Sequence, residues 1–372
     1  MFKKLLAVLI GLVLGYWLID DFNPESVKGK RVLVTGASTG IGEQIAYHYA
    51  KLGANVVITA RREKRLQEVV AKCREYGSGN QVFGYVPADM LQLNNTEHVI
   101  KEAVELLGGL DIIVLNHIIL LDLGVWTGSQ HNVSLVDKVT KVNYQSYVYL
   151  ASYALPHLEK SKGSIIVVSS LAGKLGQPFV SIYSGSKFAL DGFFGGLRQE
   201  LLLRNCDISV TTCVLGLIGT DNAIGQLRDF GQTFLLAFVK AESPSDTALA
   251  IIKAGARRVR QMYYPLIPVY PMTLFRDWFP ETCEYFNRIY KVCRADRVLR
   301  KIVQPVQSVP CGSCPAKDIA SSTKCAVRVV SCERYCFQYK VCRAGCVLRK
   351  TLLPVQSVPC VSCPAEDIAD ST

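Results

Sequence analysis

Between residues 31 and 215, short apolar runs alternate with longer segments that have the length and polarity of helices. Each run holds five to eight residues and is rich in Val and Ile, which strands favour. Strands alternating with helices build βαβ units, so the pattern predicts an α/β, Rossmann-type doubly wound parallel sheet with helices on both faces. The predicted strands are 31–35, 55–59, 81–86, 111–115, 164–169 and 208–215.

Further elements follow from the same patterns. Helical periodicity predicts helices over 182–203 and 245–257, and residues 261–266 can add an edge strand. The next segment, 267–286, is aromatic and interrupted by Pro. It favours either a surface loop with short helices on the sheet or an apolar plateau against a membrane or a partner subunit.

Charge and cysteine are concentrated at the C-terminal end of the 372-residue chain. The formal net charge is +11, and residues 283–372 hold 14 Lys and Arg against 7 Asp and Glu, with 11 of the 14 Cys. The first 282 residues therefore have the composition of an ordinary enzyme-sized domain. Because no zinc-finger, helix-turn-helix or aromatic RNA-binding signature accompanies the basic residues, we expect no nucleic-acid partner.

The first 20 residues have the pattern of a membrane-insertion signal. Two lysines precede fifteen uncharged residues, 5–19, and two aspartates follow. Fifteen residues is shorter than the roughly 20 of a full span, so a cleaved signal peptide and an uncleaved anchor are both open. Tyr16 and Trp17 suit a membrane interface, and no small-x-small cleavage site follows, which favours the anchor.

The charges around this segment also predict its orientation. With the lysines on the cytoplasmic side, all later residues would lie in the lumen of the endoplasmic reticulum. Cleavage of the segment would instead give a secreted protein. Two N-glycosylation sequons, which begin at Asn94 and Asn132, are compatible with the lumenal side.

The C-terminal tail contains an internal repeat with a period of 49 residues. Residues 291–323 recur as 340–372 with 8 differences in 33 positions. Each copy carries a Cys-x-x-Cys pair, which could form half of a zinc site, but 45 residues separate the pairs and lumenal thiols form disulfides. We therefore expect no metal and a poorly ordered, Cys-rich appendage.

A glycine-rich turn follows the first predicted strand. In TGASTGIG, residues 35–42, Gly36, Gly40 and Gly42 have the spacing for a tight turn, close approach to a pyrophosphate and contact between helix and strand. A diphosphate would lie at the N-terminus of the helix that begins there. Placed after the first strand of a βαβ unit, the turn indicates a dinucleotide site.

The end of the second predicted strand bears on which dinucleotide binds. NAD sites place an acidic residue there, whereas this chain has Arg61 and Arg62. A guanidinium attracts a 2′-phosphate, so we expect NADP(H) with Arg61 as the main contact, and Arg62 matters less if it points to solvent. The alternative is that both arginines only begin a solvated helix.

A tyrosine and a lysine lie one helical turn apart in YSGSK, residues 183–187. Tyr183 and Lys187 share a helix face, and a neighbouring ammonium and an oxidised nicotinamide would both favour the phenolate. Ser170 lies at the carboxyl end of a strand, where such sheets bind ligands. Tyr-x-x-x-Lys alone has many chance matches, but with the glycine turn and the strand-end Ser it indicates acid–base catalysis.

With these motifs the chain resembles the short-chain dehydrogenase/reductase family. Residues 20 to about 290 are most similar to its 11β-hydroxysteroid dehydrogenase type 1 group, on the stretches GGLDIIVLNHI, KGSIIVVSSLAGK, YSGSKFALDGFF and VTTCVLGLIGT. The domains expected from this match are an anchor over 1–20, a cofactor-binding and catalytic domain over 21–290 and the repeated tail over 291–372. The resemblance also implies a homodimer.

The resemblance implies roles for individual residues. Ser170 would orient the substrate oxygen, Tyr183 would exchange a proton with it, Lys187 would bind the nicotinamide ribose, and Asn143 would hold a water that links Lys187 to solvent. Implied cofactor contacts are Gly36, Ser38, Thr39, Gly40, Ile41, Gly42, Arg61, Asp89, Met90, Asn116, His117, Ile118, Tyr183, Lys187, Ile218 and Thr220. Implied substrate contacts are Ser170, Leu171, Gln177, Val180, Tyr183 and Leu217.

Three departures from the group bear on cofactor and substrate. Thr39 stands where the type 1 enzymes have Lys, Gln177 stands where they have an aromatic hydroxyl, and residues 118–128 differ strongly. The expected function is NADP(H)-dependent interconversion of a hydroxyl and a ketone on a steroid or similar apolar substrate. Reduction of retinoid or xenobiotic carbonyls, and a non-catalytic binding or scaffold protein, are the alternatives.

Overall fold

The computed structural model describes residues 21–119, 124–229 and 240–282. The predicted anchor, the repeated tail and the domain boundaries beside them lie outside these residues. Within them, no helix has both the length and the apolar character needed to cross a membrane.

A parallel sheet of seven strands forms the centre of the described domain. Its strand order is β3-β2-β1-β4-β5-β6-β7, which confirms the predicted α/β class. The predicted edge strand is present as β7, paired with β6. The strands are β1 Arg31–Thr35, β2 Asn55–Ala60, β3 Phe83–Pro87, β4 Ile112–Leu115, β5 Ser164–Ser170, β6 Ser209–Leu215 and β7 Gln261–Tyr264.

Helices cover both faces of this sheet. The two that periodicity predicted directly are α6 and α8, each within one residue of its expected bounds. A π-helical turn, Lys141–Gln145, and a 3-10 turn, Leu171–Gly173, interrupt the pattern near the site. The helices are α1 Gly40–Lys51, α2 Glu63–Tyr76, α3 Asn95–Leu107, α4 Gln130–Thr140, α5 Ser146–Ser161, α6 Ser181–Leu203, α7 Asp221–Asp229, α8 Pro244–Ala256 and α9 Leu266–Trp278.

The central strands are buried on both faces, as their continuous apolar runs require. Val32, Leu33 and Val34 of β1 have no exposed surface. Because side chains alternate across a strand, Val32 and Val34 lie in one apolar core and Leu33 in the other. Two cores of this size hold the strand ends, and so the loops after them, in fixed positions.

The strand order changes direction between β1 and β4. Strand β1 pairs with β2 on one side and with β4 on the other, so the loops after β1 and β4 leave the sheet toward opposite faces. Parallel sheets bind ligands in the crevice that opens at this point, beyond the carboxyl ends of the strands. The glycine turn after β1 and Asn116 after β4 lie at this crevice.

The segment after β7 forms helix α9, which is interrupted at Ile267. Several of its apolar side chains are exposed, and Ile267 and Trp278 are each 75% exposed. The apolar plateau, one of the two alternatives predicted for residues 267–286, requires an exposed apolar face of this kind. Its contact with a membrane or a partner subunit stays a prediction.

Candidate active site

The glycine turn after β1 is closed to any larger residue. Gly36 and Gly40 have φ values of 65° and 67°, which L side chains rarely adopt. A Cβ at Gly36 would lie 2.6 Å from His117 Cα, and a Cβ at Gly42 would lie 2.4 Å from Gly36 O. The three glycines therefore let β1, α1 and the loop after β4 approach one another closely.

The N-terminus of helix α1 opens directly from this turn. Thr39 is the N-cap residue, and its side chain makes no capping hydrogen bond. The first backbone N–H groups of α1 are therefore available, together with the positive end of the helix dipole, for a phosphate. The turn and the helix terminus fit the diphosphate of a dinucleotide.

An arginine from the end of β2 reaches this turn. Arg62 Nη2 donates to Ser38 Oγ at 3.0 Å and to Thr39 Oγ1 at 3.1 Å. Arg61, which the sequence favoured as the phosphate contact, is exposed, and so is Arg62. Arg62, to which sequence reasoning had given the smaller role, thus contacts the glycine turn, and the choice of Arg61 as the phosphate contact stays a prediction.

Asn116 ties the glycine turn to β4. Its Nδ2 donates to Thr35 O at 3.1 Å and to Gly36 O at 3.2 Å, and its backbone N–H donates to Thr35 Oγ1 at 2.9 Å. A Cβ at Gly42 would come within 2.6 Å of that Nδ2. Asn116 thus holds the shape of the turn through its side chain.

His117 lies buried behind the site. Its Nδ1 is 2.9 Å from Thr35 Oγ1, and its Nε2 is 2.7 Å from Ser146 Oγ. Burial, and then the nearby charge of Lys187, lower the pKa of His117 to about 3. The imidazole is therefore neutral at physiological pH and bridges β1 to helix α5.

Two further implied cofactor residues follow β6, and one of them, Thr220, reaches the glycine turn. Thr220 contacts it, since a Cβ at Gly40 would lie 3.1 Å from Thr220 Cγ2. Ile218 is buried and forms a parallel bridge with Glu242. Ile41 is half-buried in the first turn of α1. The structure thus brings the implied contacts after β1 and β6 together.

The remaining implied cofactor contacts follow β3 and β4. Asp89 Oδ1 accepts a hydrogen bond from Leu91 N at 3.0 Å, which fixes the turn after β3. Met90 is buried in one of the two apolar cores, whereas Ile118 is 47% exposed. Met90 therefore packs in the core beneath the loop after β3. Of Asp89, Met90 and Ile118, only Ile118 is exposed to solvent.

The proposed acid–base pair lies on the first turns of helix α6. Lys187 is buried, and its Nζ donates to Val168 O of β5 at 2.9 Å. The same Nζ lies 5.8 Å from the centre of the Tyr183 ring. The spacing of one helical turn thus places the amine beside the phenol and anchors it to the strand that ends at Ser170.

Burial changes the acidity of both groups. It lowers the pKa of Lys187 to about 7. It also raises the pKa of Tyr183, which a hydrogen bond with Ser170 partly offsets. In the protein without cofactor, Tyr183 is therefore a neutral phenol and a proton donor. From the sequence we expected the ammonium of Lys187 to favour the phenolate form of Tyr183, which is the opposite effect.

Ser170 is held at the end of β5 by the turn that follows. Its Oγ accepts a hydrogen bond from Ala172 N at 3.2 Å, which caps the 3-10 turn. A Cβ at Gly173 would lie 2.9 Å from Lys187 Cβ, so only glycine lets the turn pack against α6. Gly173 was not found from the sequence, where it appears as an ordinary loop glycine.

Asn143 lies in the π-helical turn, a feature common at functional sites. Its Oδ1 accepts from Ile119 N at 2.8 Å, and its Nδ2 donates to Ile119 O at 2.9 Å and, at 3.3 Å, to Ser186 Oγ. Asn143 thus joins the loop after β4 to helix α6. Its implied water contact stays a prediction.

A small, open cleft lies beside Tyr183, and both polar and apolar groups line it. Of the implied substrate residues, Val180 and Tyr183 line it. Ser170, Leu171, Gln177 and Leu217 lie outside the lining of this cleft in the described part of the chain, and Leu171 packs into a small core with Val214 and Val269. The lining residues that sequence reasoning missed are Gly124, Trp126, Asn132, Leu135, Val139, Phe179, Ser181 and Ile182.

The fold and this site define a class of protein. A glycine turn at the switch point of a doubly wound sheet, with a Ser, Tyr and Lys beside a cleft, has the layout of a nicotinamide-dependent oxidoreductase. The short chain dehydrogenase family matches residues 30–229. The chain belongs to the short-chain dehydrogenase/reductase family.

Individual relatives support this assignment. The hydroxysteroid 11-beta-dehydrogenase 1-like protein of Danio rerio is 50% identical over 283 residues, which cover 75% of this chain and 94% of that protein. The protein of the same description from Macaca fascicularis is 43% identical over 285 residues, which cover 76% and 95%.

Solved structures agree with the fold. A short chain dehydrogenase from Burkholderia cenocepacia, crystallised with NADP, has a TM-score of 0.56 and 29% identity, and the match covers 64% of this chain and 97% of that one. A relative from Burkholderia phymatum, crystallised with NAD, has a TM-score of 0.61 at 19% identity and supports the fold alone.

Proposed function

We propose that this protein is an NADP(H)-dependent oxidoreductase that interconverts a hydroxyl and a ketone on a steroid or a similar apolar substrate. The observation that carries the proposal is the placement of Tyr183 between Lys187, Ser170 and a cleft that Trp126, Leu135, Val139 and Phe179 help to line. In that position the phenol can reach a substrate oxygen, and the cleft can hold the apolar body of the same molecule.

In the direction of reduction, Ser170 and Tyr183 act on the substrate carbonyl. Ser170 donates a hydrogen bond that orients the oxygen, and Tyr183 transfers its proton to that oxygen as negative charge develops there. Lys187 supports the phenol from the buried side. In oxidation the same groups act in reverse, and Tyr183 accepts the proton of the hydroxyl.

The dinucleotide supplies hydride transfer when it is bound. The glycine turn and the N-terminus of α1 would hold its diphosphate, and Lys187 would contact its nicotinamide ribose. Arg62 with Ser38 and Thr39 would bind the 2′-phosphate of NADP, because a guanidinium beside two hydroxyls provides both charge and hydrogen bonds.

The substrate class rests on the relatives and on the cleft. Both curated relatives are described as hydroxysteroid dehydrogenase-like, and the cleft of this chain presents Trp126, Leu135, Val139 and Phe179 to a ligand. Retinoid or xenobiotic carbonyl reduction would use the same catalytic residues. We further propose a homodimer anchored in the endoplasmic reticulum membrane, with the described domain in the lumen.

A substrate panel tests the proposal. The full chain is expressed in membranes and assayed with NADPH and NADH against ketosteroids, retinaldehyde and aromatic xenobiotic ketones, with Tyr183→Phe as the control for chemistry at this site. Turnover of ketosteroids that the control lacks would support the proposal. Turnover of retinaldehyde alone would favour the alternative, and no turnover of any compound would favour a binding protein.

A further inference from the structure

Asn132 stands out because two incompatible roles meet at its side chain. In the sequence it begins the sequon Asn132-Val133-Ser134, whereas in the structure it lines the cleft beside Tyr183. A glycan on its Nδ2 would occupy space that a substrate needs. One of the two roles must therefore be absent.

The orientation of the Asn132 amide is fixed by the loop before helix α4. Its Oδ1 accepts hydrogen bonds from Thr127 N at 3.1 Å, Thr127 Oγ1 at 2.9 Å and Ser129 Oγ at 3.0 Å. In return, Ser129 Oγ caps α4 by accepting from Asn132 N at 3.2 Å. Because a backbone N–H must face an oxygen, Nδ2 is the part of the amide left to contact a ligand.

The other residues that line the cleft determine how much this amide can contribute to substrate specificity. Apart from Tyr183, the described residues that line it contribute polar groups at Asn132, at Ser181 and at the indole N–H of Trp126. Tyr183 is engaged with the oxygen that reacts. A donor held in a fixed orientation elsewhere in the cleft discriminates between ligands, because a ligand lacking the matching acceptor leaves the polar group unpaired.

We propose that Asn132 is an unmodified, specificity-determining residue, whose Nδ2 donates to a substrate oxygen remote from the carbon that exchanges hydride. The proposal rests on the proposed function, since it assumes that the cleft binds the substrate. It predicts a preference for apolar polycyclic ketones that carry a second oxygen at the far end of the ring system.

Two matched variants of the full chain separate the amide from the sequon. Asn132→Asp keeps an oxygen for Thr127 and Ser129 but replaces the donor by an acceptor. Ser134→Ala destroys the sequon and leaves Asn132 intact, and Ser134 is an exposed residue whose hydroxyl bonds only its own helix, at His131 O. The substrates are a ketosteroid with a distal second oxygen and the same ketosteroid without it.

We expect wild type to prefer the doubly oxygenated ketosteroid. In Asn132→Asp the ratio of kcat/KM between the two compounds should fall by about fivefold or more, as a lost hydrogen bond of about 1 kcal/mol implies. Ser134→Ala should keep that ratio, and its gel mobility before and after endoglycosidase should equal that of wild type. Melting temperature reports whether each variant folds.

Other results would overturn the inference. A faster-migrating Ser134→Ala would show that Asn132 carries a glycan, and this outcome does not depend on activity or on the folding of Asn132→Asp. An unchanged substrate ratio in a folded Asn132→Asp would remove the contact but leave the proposed function intact. If wild type reduces neither ketosteroid, the proposed contact with a ketosteroid fails, and the wider substrate panel decides the proposed function.

Discussion

Arg62 donates hydrogen bonds from one guanidinium nitrogen to Ser38 Oγ at 3.0 Å and to Thr39 Oγ1 at 3.1 Å. This contact places a positive charge beside the glycine turn, where Thr39 itself provides none. Since a phosphate bound there would meet a charge and two hydroxyls, Arg62 is positioned to distinguish NADP from NAD. Its neighbour Arg61 is exposed, as Arg62 is, so the hydrogen bonds to the turn, and not burial, distinguish the two.

Arg62→Ala should therefore weaken NADP binding more than Arg61→Ala does. A charged hydrogen-bonding group contributes about 1.5–3 kcal/mol, so we expect the Kd for NADP to rise about 10- to 150-fold and the Kd for NAD to change little. Isothermal titration calorimetry of both nucleotides on both variants measures this directly, without turnover. A larger loss in Arg61→Ala would restore the assignment that the sequence favoured.

The sheet was predictable because its signal is local. The apolar runs at β1, β4 and β5 are long enough to be buried on both faces, and each coincides with an observed strand to within a residue at either end. Strand β3 begins at Phe83 rather than at residue 81, and just before it Val82 N donates to Asn55 Oδ1 at 2.7 Å while Gln81 Nε2 donates to Ala50 O and Ala54 O. Such polar side-chain contacts do not recur at a fixed spacing along the sequence, so hydrophobic periodicity cannot predict them.

The cleft was less predictable because distant segments build it. Trp126 and Phe179 lie 53 positions apart in the chain, yet both line it, and Gly124 N donates to Phe179 O at 2.9 Å. Neither aromatic residue belongs to a motif. The choice between Arg61 and Arg62 likewise depends on where each side chain turns after β2, which spacing alone does not determine.

Tyr183→Phe tests the assigned acid–base group. The substitution keeps the ring beside Lys187 and removes only the hydroxyl, so kcat should fall by about 10² to 10⁴. Nucleotide affinity, measured by calorimetry, and melting temperature should stay near the wild-type values. Activity within about tenfold of wild type would contradict the mechanism.

Removal of residues 291–372 tests the predicted domain boundary. The family match ends at residue 229, and the tail repeat lacks the apolar period of a core, so the shortened chain should keep its activity and melting temperature. Expression of both forms, followed by ketone reduction assays and thermal unfolding, makes the comparison. A shortened chain that aggregates would show that the tail contributes to folding.

The buried amine of Lys187 gives the last prediction, which concerns stability. Burial lowers its pKa to about 7 from an ordinary value of 10.5. Between these two values the unfolded chain binds a proton that the folded chain does not, so this residue makes the wild type more stable as pH rises through that window. Below about pH 7, the folded protein must bury the charge.

Lys187→Met should abolish turnover but stabilise the protein without cofactor at low pH. Methionine fills a similar volume without charge, and the loss of the hydrogen bond to Val168 O offsets only part of that gain. The excess of the variant's melting temperature over that of wild type should therefore be largest near pH 6 and shrink toward pH 10. Thermal unfolding across this range measures it, with the exposed Lys101→Met as control. A pH-independent difference between Lys187→Met and wild type would mean that Lys187 does not titrate near neutrality in the folded protein.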